Sequence, residues 1–199
     1  MTDTGVAGIL LAAGSGSRLG RPKAHVEFGG RTLAERGVAL LRDGGADPVL
    51  IVSGAAPVRL DGARTVHNPD WATGMGSSLA VALRALSQPG AGAGAAVIAL
   101  ADQPLVGPGS VRRLISAYRD GASVAVAAYG GKRRNPVLLA REHWPAVLER
   151  AAGDAGARPF LRAHPDLVTV VECGDTGSPD DIDTAEDLER LRAARAAGG

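Results

Sequence analysis

Leu11-Ala-Ala-Gly-Ser-Gly-Ser-Arg-Leu-Gly-Arg-Pro-Lys23 is a glycine-rich stretch that directly follows an apolar segment. Its glycines permit positive φ and close approach of the backbone, so that consecutive N–H groups can face an anion; they are Gly14, Gly16 and Gly20. Its cations add full positive charge to those dipoles; they are Arg18, Arg21 and Lys23. The stretch therefore predicts a binding site for a polyphosphate.

Other phosphate motifs fit this loop less well. A Walker loop needs a lysine and a hydroxyl residue directly after its last glycine, whereas Arg21 and Pro22 follow Gly20. A dinucleotide site remains an alternative, although the third glycine of that fingerprint would fall at Leu19 and no acid for a ribose ends the second predicted strand. A plain flexible turn is a further alternative, but three clustered cations repel one another unless an anion is present.

Size and composition favour small-molecule chemistry. A chain of 199 residues can bury a sizeable core. Two Phe, two Tyr and two Trp make that core aliphatic and argue against a base-stacking nucleic-acid platform. A net charge of +1 provides no general attraction to nucleic acid or membrane, so we expect neither as a partner.

The cellular compartment is suggested by cysteine content and by the first apolar run. Cys173 is the only cysteine, so no internal disulfide can form, as expected for a reducing compartment. The apolar run at 6–13 lacks a basic leader and is too short to span a membrane. We therefore expect a cytoplasmic protein.

Apolar runs of strand length alternate with segments of helical period, which predicts an α/β fold with a mainly parallel sheet. The predicted strands are 6–12, 49–53, 64–67, 96–101, 123–128, 136–139 and 167–172. The predicted helices are 32–43, 77–86, 111–118, 142–151, 157–163 and 184–194. A turn at Gly130-Gly131 predicts a hairpin-like excursion from the parallel core, and residues 193–199 are expected to fray.

Five further motifs follow the first loop in a fixed order. They are Asn68-Pro-Asp-Trp71 with Gly74-Met-Gly-Ser-Ser-Leu79, Asp102-Gln-Pro104, Asn135-Pro-Val-Leu138, Gly153-Asp-Ala-Gly-Ala-Arg158 and Asp181-Ile-Asp-Thr-Ala-Glu-Asp-Leu188. Together the six resemble the nucleotidyltransferases related to molybdenum cofactor cytidylyltransferases, over about residues 8–191. The resemblance implies one nucleotidyltransferase domain at 1–199, folded as a three-layer Rossmann-like sandwich with a mainly parallel sheet and a small antiparallel excursion.

The resemblance also implies where the nucleotide binds. Arg18 should meet the β- and γ-phosphates, and Lys23 should approach the α-phosphate, where charge grows in the transition state. The implied nucleotide-binding residues are Leu11, Ala12, Ala13, Gly14, Ser15, Gly16, Arg18, Lys23, Gly76, Ser77 and Ser78. Ser77 alternatively serves only as a helix N-cap. Ala13 favours cytosine, because relatives that use GTP tend to carry glycine there.

The implied metal is Mg²⁺, which takes one or two carboxylates and keeps substrate phosphates and waters. Asp102 follows the most apolar predicted strand, at the edge where open α/β sheets bind ligands. The resemblance makes Asp183 its partner, with Asp181 as the alternative. The implied catalytic residues are Arg18, Lys23 and Asp102.

The acceptor is the least determined part of the site. The resemblance assigns it Asn135 and Pro136, although this chain has Arg134-Asn135-Pro136 where the family commonly has Gly-His-Pro. Asp154 and Arg158 either orient the acceptor or form a surface ion pair. A phosphorylated acceptor is already anionic and needs no general base.

These observations support one leading function and three alternatives. The leading hypothesis is Mg²⁺-dependent transfer of CMP from CTP to a molybdopterin-type phosphate, with release of pyrophosphate. The alternatives are nucleotidyl transfer with GTP or another nucleotide to another phosphorylated acceptor, NAD(P)H-linked reduction of a pigment or quinoid, and non-catalytic nucleotide binding. A molybdoenzyme or chaperone partner and the oligomeric state are left open.

Overall fold

A computed structural model describes residues 5–90, 92–151 and 153–197. Its main sheet has seven strands, and a separate antiparallel pair is formed by β2 and β3. The strands are β1 (Val6–Leu11), β2 (Glu27–Phe28), β3 (Arg31–Thr32), β4 (Val49–Ser53), β5 (Arg64–His67), β6 (Ala95–Leu100), β7 (Val124–Tyr129), β8 (Lys132–Ala140) and β9 (Val168–Glu172).

The order across the main sheet is β5-β4-β1-β6-β8-β7-β9. Strand β8 is antiparallel to both of its neighbours, whereas the other pairs are parallel. The predicted excursion is thus an antiparallel strand inside the sheet, inserted between β6 and β7. The turn that reverses the chain is Gly130-Gly131, where φ is 59° and 75°. Only glycine adopts such values without strain.

Helices cover both faces of the sheet and complete three layers. They are α1 (Leu33–Asp43), α2 (Met75–Ser87), α3 (Pro108–Arg119), α4 (Trp144–Arg150), α5 (Arg158–Ala163) and α6 (Ala185–Ala197). Apolar residues of α1 and α3 pack on one face, and those of α2, α4 and α5 pack on the other. The aliphatic core and the three-layer α/β architecture predicted from the sequence are confirmed. Across the described ranges, no helix is both long and apolar enough to cross a membrane.

A further hydrophobic cluster, separate from the cores on the two faces of the sheet, joins the early and late parts of the chain. Phe28 and Leu33, beside the β2–β3 pair, pack with Ile182 and with Leu191 of α6. Sequence reasoning missed this antiparallel pair, because its strands have only two residues each and show no periodicity. The predicted fraying from residue 193 is wrong as far as 197, since α6 continues to Ala197; residues 198–199 lie outside the described residues.

The first turn of α6 is held by a reciprocal pair of hydrogen bonds. The Asp187 N–H donates to Thr184 Oγ1 at 3.1 Å, and the Thr184 N–H donates to Asp187 Oδ2 at 3.0 Å. Hydrogen bonds from the Thr184 hydroxyl, Arg190 and nearby backbone lower the pKa of Asp187 to about 2. Asp187 is therefore a capping residue at the start of α6.

Replacing Asp187 with Asn should reduce the free energy of unfolding at neutral pH, because the ionised carboxylate accepts these hydrogen bonds more strongly than an amide does. A carboxyl whose pKa is depressed on folding stabilises the fold above its unfolded pKa of about 3.9. Urea unfolding of both proteins should therefore give a constant difference from pH 7 to about 4, which shrinks as the pH falls towards 2. A difference that does not depend on pH would contradict this role.

Candidate active site

Three parallel strands end side by side above a cavity of about 250 Å³. The Ala12 N–H donates to Val52 O at 3.0 Å, and the Ala101 N–H donates to Leu11 O at 3.1 Å, so the ladder holds these strand ends together. The lining comes from the ends of β1 and β6, the glycine loop, the start of α2 and Asp154. It consists of Leu11, Ala12, Ala13, Gly14, Lys23, Trp71, Gly74, Met75, Ser78, Leu100, Ala101, Asp102 and Asp154.

The glycine loop turns back so that its last cation reaches the cavity. Gly16 has a φ of 60°, and a Cβ there would overlap the carbonyl oxygen of Arg21. Gly20 has a φ of 70° in open space. Gly14 does not use the positive φ that glycine permits, since it is absent from the left-handed glycines within the described residues. Gly14 instead lines the cavity, where its missing side chain leaves the backbone accessible.

Lys23 lies between two carboxylates from distant parts of the chain. Its Nζ donates to Asp102 Oδ2 at 2.7 Å and also to Asp183 Oδ1. The side chains of Lys23 and Asp102 are only 18% and 22% exposed, so water screens this contact less than a surface ion pair. Burial alone would lower the pKa of Lys23, but the two adjacent carboxylates outweigh it and raise the pKa above its ordinary value.

The segment before α6 brings Asp183 to this position. The Ile182 N–H donates to the carbonyl oxygen of Asp102 at 2.8 Å, and the Ile182 side chain is fully buried. Asp183 is the next residue and therefore lies beside Asp102. The structure thus juxtaposes the two acids that sequence reasoning paired, although nothing in the sequence pattern pointed to their shared contact with Lys23.

Asp181 has a different partner. Its Oδ1 accepts a hydrogen bond of 2.8 Å from Gln103 Nε2, which also donates to Pro179 O at 3.2 Å. Burial raises the pKa of Asp181, the Gln103 hydrogen bond opposes the rise, and the charges of Asp102 and Asp183 add to it. Of the two candidates, the structure places Asp183 and not Asp181 in contact with Lys23.

The carboxylates at Lys23 fit a divalent cation. Asp102 Oδ1 is buried and has no hydrogen-bond partner, although its other oxygen binds Lys23. A buried carboxylate oxygen without a donor is costly unless a cation or water meets it. Within the described residues no group of three or more His, Cys, Asp or Glu side chains could hold a metal ion. Asp102 and Asp183 match the one or two carboxylates that Mg²⁺ usually takes.

The motif at 68–79 contributes one of its three predicted nucleotide-binding residues to the cavity wall. Helix α2 begins at Met75 after Gly74, so Ser77 is not its N-cap. Asn68 Nδ2 donates to the hydroxyls of Ser77 and Ser78, at 2.9 Å each. Ser78 lines the cavity, whereas Gly76 and Ser77 are not among the lining residues.

Five lining residues were missed as site residues; they are Trp71, Gly74, Met75, Leu100 and Ala101. The first three lie within the motif at 68–79, and the other two directly precede Asp102. Their position beside recognised motifs was therefore a usable signal.

The remaining predicted residues lie outside this cavity. Arg18 is exposed in the 3₁₀ turn Ser17–Leu19, and neither Ser15 nor Gly16 belongs to the lining. Asn135 and Arg158 line a neighbouring cavity of about 40 Å³, whose wall shares Leu11, Met75 and Leu100 with the first. Pro136 is buried in β8 and lines neither cavity. Asp154 lines the first cavity, and no ion pair between Asp154 and Arg158 is present in the described part of the chain.

The profile of the MobA-like NTP transferase domain matches residues 8–168. The chain belongs to this family. Nicotine blue oxidoreductase from Paenarthrobacter nicotinovorans is 39% identical over 206 residues, which cover 94% of this chain and 96% of that protein. MobA-like membership makes the chain a nucleotidyltransferase by family, while this relative bears the name of an oxidoreductase.

Solved structures share the fold of this chain. The homologue of Mycobacterium tuberculosis Rv0371c from Mycobacterium sp. strain JC1 has a TM-score of 0.85, with 31% identity and full coverage of both chains. Rv0371c from M. tuberculosis H37Rv, solved in complex with manganese, has a TM-score of 0.76 at 28% identity and covers 96% of this chain and 99% of that one.

Replacing Gly16 with Ala should destabilise the protein more than replacing Gly20 with Ala. Both substitutions place a side chain at a positive φ, which costs about 1 kcal/mol. Only the Gly16 variant also forces its Cβ into the Arg21 carbonyl. Urea unfolding should rank the two variants in this order, and equal losses would show that the loop relaxes freely around residue 16.

Replacing Asp181 with Asn should stabilise the fold at neutral pH, because the half-buried charge is removed while the amide oxygen can still accept from Gln103. Because the folded pKa is raised, the stability gained by the Asp181 variant grows as the pH rises from the unfolded pKa of about 3.9 to the folded pKa, and is absent well below about 3.9. Thermal unfolding at a pH of about 2.5 and at a pH of about 7 measures both values. Asp166→Asn changes an exposed acid that forms no ion pair within the described residues and serves as the control. A stabilisation that is equal at both pH values would contradict the burial effect.

Proposed function

We propose that the protein, with residues 1–199 acting as one domain, is a Mg²⁺-dependent cytidylyltransferase. It transfers CMP from CTP to the phosphate of a molybdopterin-type acceptor and releases pyrophosphate. The observation that carries the proposal is the contact of Lys23 with Asp102 and Asp183 beside a cavity lined by the glycine loop. This arrangement combines a cation for phosphate with carboxylates for a metal, as phosphoryl and nucleotidyl transfer require.

In the proposed reaction, an oxygen of the acceptor phosphate attacks the α-phosphorus of CTP. The bond from that phosphorus to the bridging oxygen breaks, and pyrophosphate leaves with the electron pair. Because the attacking oxygen is already ionised at neutral pH, no general base is needed. Lys23 stabilises the charge that grows at the α-phosphate, and the backbone at 12–16 cradles the other phosphates.

Asp102 and Asp183 would hold the Mg²⁺, and the unpartnered Asp102 Oδ1 supports this assignment. The ion, when bound, neutralises negative charge on the nucleotide phosphates. Lys23 is then no longer the sole counter-ion of the two carboxylates, so its ammonium is available to the nucleotide. The manganese complex of Rv0371c supports a divalent cation in this family.

The residue at position 13 supports a pyrimidine nucleotide. Ala13 lines the cavity, and relatives of the resembled family that use GTP tend to carry glycine there.

Reduction of a pigment or quinoid by NAD(P)H is the second candidate, favoured by the similarity to nicotine blue oxidoreductase along nearly the whole chain. Two observations weigh against it. A dinucleotide site places a helix N-terminus directly behind the glycine loop, whereas α1 does not begin until Leu33. Strand β4 ends at Ser53 and is followed by Gly54, so it offers no acid for a ribose.

Incubation with CTP, Mg²⁺ and molybdenum cofactor should release pyrophosphate, and Asp102→Asn should reduce the rate by about 10²–10³-fold because charge stabilisation at the reacting phosphate is lost. Asp120→Asn changes an exposed acid at the end of α3 and serves as the control. Pyrophosphate release measured with CTP and with GTP in parallel tests the choice of base.

Parallel assays separate the alternatives. Oxidation of NADPH by a quinoid acceptor, without pyrophosphate release, would replace the proposal by the reductase. Release of pyrophosphate only with a phosphosugar or another phosphate ester would change the acceptor. CTP binding that survives in Asp102→Asn without turnover in either protein would indicate a non-catalytic module.

A further inference from the structure

The main cavity is large enough for one of the two reactants. Small-molecule sites usually enclose about 300–1,000 Å³, and this cavity encloses about 250 Å³. If the nucleotide occupies it, most of the acceptor must lie outside, along the same edge of the sheet. The neighbouring cavity lined by Asn135 and Arg158 shows the direction in which the site continues, towards β8.

Strand β8 begins with three consecutive exposed cations, Lys132, Arg133 and Arg134. Because β8 is antiparallel to β6, its beginning lies at the edge where β6 ends. In the ladder Ile98 pairs with Val137. Asp102 and Arg133 are each four residues from that pair, towards the same edge. The cations therefore lie at the open edge of the site, next to Asn135.

The pairing with β7 shows which face Arg133 occupies. Arg133 pairs with Ala128, and Val137 pairs with Val126 across a shift of register. Val126 and Val137 belong to the core beneath α2, α4 and α5, which is the face of both cavities. Ala128 is two residues from Val126 and lies on that face, as does its partner Arg133. Lys132 pairs with Tyr129 on the opposite face.

The turn that carries these cations is held in place. Glu172 accepts hydrogen bonds of 3.0 Å from the N–H groups of Gly130 and Gly131, which lower the pKa of its carboxyl. The negative charge of Glu172 therefore interacts with the backbone N–H groups of the turn. In the described part of the chain, no carboxylate forms an ion pair with Lys132, Arg133 or Arg134. Neighbouring cations on a fixed turn repel one another until an anion joins them.

We propose that Arg133, which its pairing places on the face of both cavities, binds a second anionic group of the acceptor, apart from the phosphate that reacts. Arg133 and its neighbour Arg134, in the irregular part of β8, are here called the edge arginines. The inference rests on the proposed function and specifies its substrate class: a phosphate monoester with another anionic group at its far end. Guanidinium groups suit this task, because their planar donors bind oxyanions in a bidentate manner.

Calorimetry with a pair of sugar phosphates tests the subsite without turnover. In the presence of CTP and Mg²⁺, the wild-type protein should bind fructose 1,6-bisphosphate about tenfold or more tightly than fructose 6-phosphate. The variant Arg133→Gln/Arg134→Gln should lose this preference. The control Lys132→Gln/Arg119→Gln removes the same charge from the opposite face of β8 and from the end of α3, and should keep it.

Three outcomes overturn the subsite: no preference in the wild-type protein, a preference that persists without the edge arginines, or an equal loss in the control, which would indicate general electrostatics. Kinetics add a second test. With molybdenum cofactor, the edge-arginine variant should raise the KM for the acceptor about 10–100-fold and leave the KM for CTP unchanged. An unchanged acceptor KM would also overturn the subsite.

Failure of the subsite and failure of the proposed function give different results. If the bisphosphate preference depends on the edge arginines but no pyrophosphate is released with any nucleotide, the function fails and the anion subsite stands. If pyrophosphate is released but the preference is absent, the subsite alone fails.

Discussion

The site depends on the contact of the Lys23 ammonium with the carboxylates of Asp102 and Asp183. Lys23 lies 79 residues from Asp102 and 160 residues from Asp183 in sequence, and its Nζ contacts both. The Lys23 and Asp102 side chains are largely withdrawn from water, so removing one partner leaves a charge that solvent compensates poorly. The glycine loop, the end of β6 and the segment before α6 therefore each supply one charge that the other two need.

The backbone holds these segments independently of the charges. The hydrogen bond from Ile182 to Asp102 and the burial of Ile182 beside Phe28 and Leu33 attach the last part of the chain to the first. The small β2–β3 pair provides part of that surface. The short β2–β3 pair, which lies outside the main sheet, thus helps to position the carboxylate of Asp183.

Sequence alone could predict the elements but not all of their neighbours. Strands β4 and β5 have the bounds that were expected, because runs of β-branched and apolar residues bounded by turn residues report the local conformation directly. The same periodicity does not say that β8 pairs with β6 as well as with β7. Lys23 and Asp102 were found because each belongs to a recognisable motif at the end of a strand. Their shared contact, and the distance of Arg18 from the cavity, depend on how loops fold back in space.

The distribution of charge divides the edge of the sheet into two regions of different character. Around Lys23, two carboxylates face one ammonium, so the net charge of the region is negative. A further cation would balance this charge, and a nucleotide can bring one as its metal complex. At the start of β8, three cations have no acidic partner within the described residues, and that region is complete only with an anion. Under the proposed function, the metal of the nucleotide complex supplies the cation that the first region lacks, and the acceptor supplies the anion that the second region lacks. The proposal therefore gives the site a direction from β1 to β8, with the α-phosphate facing the acceptor.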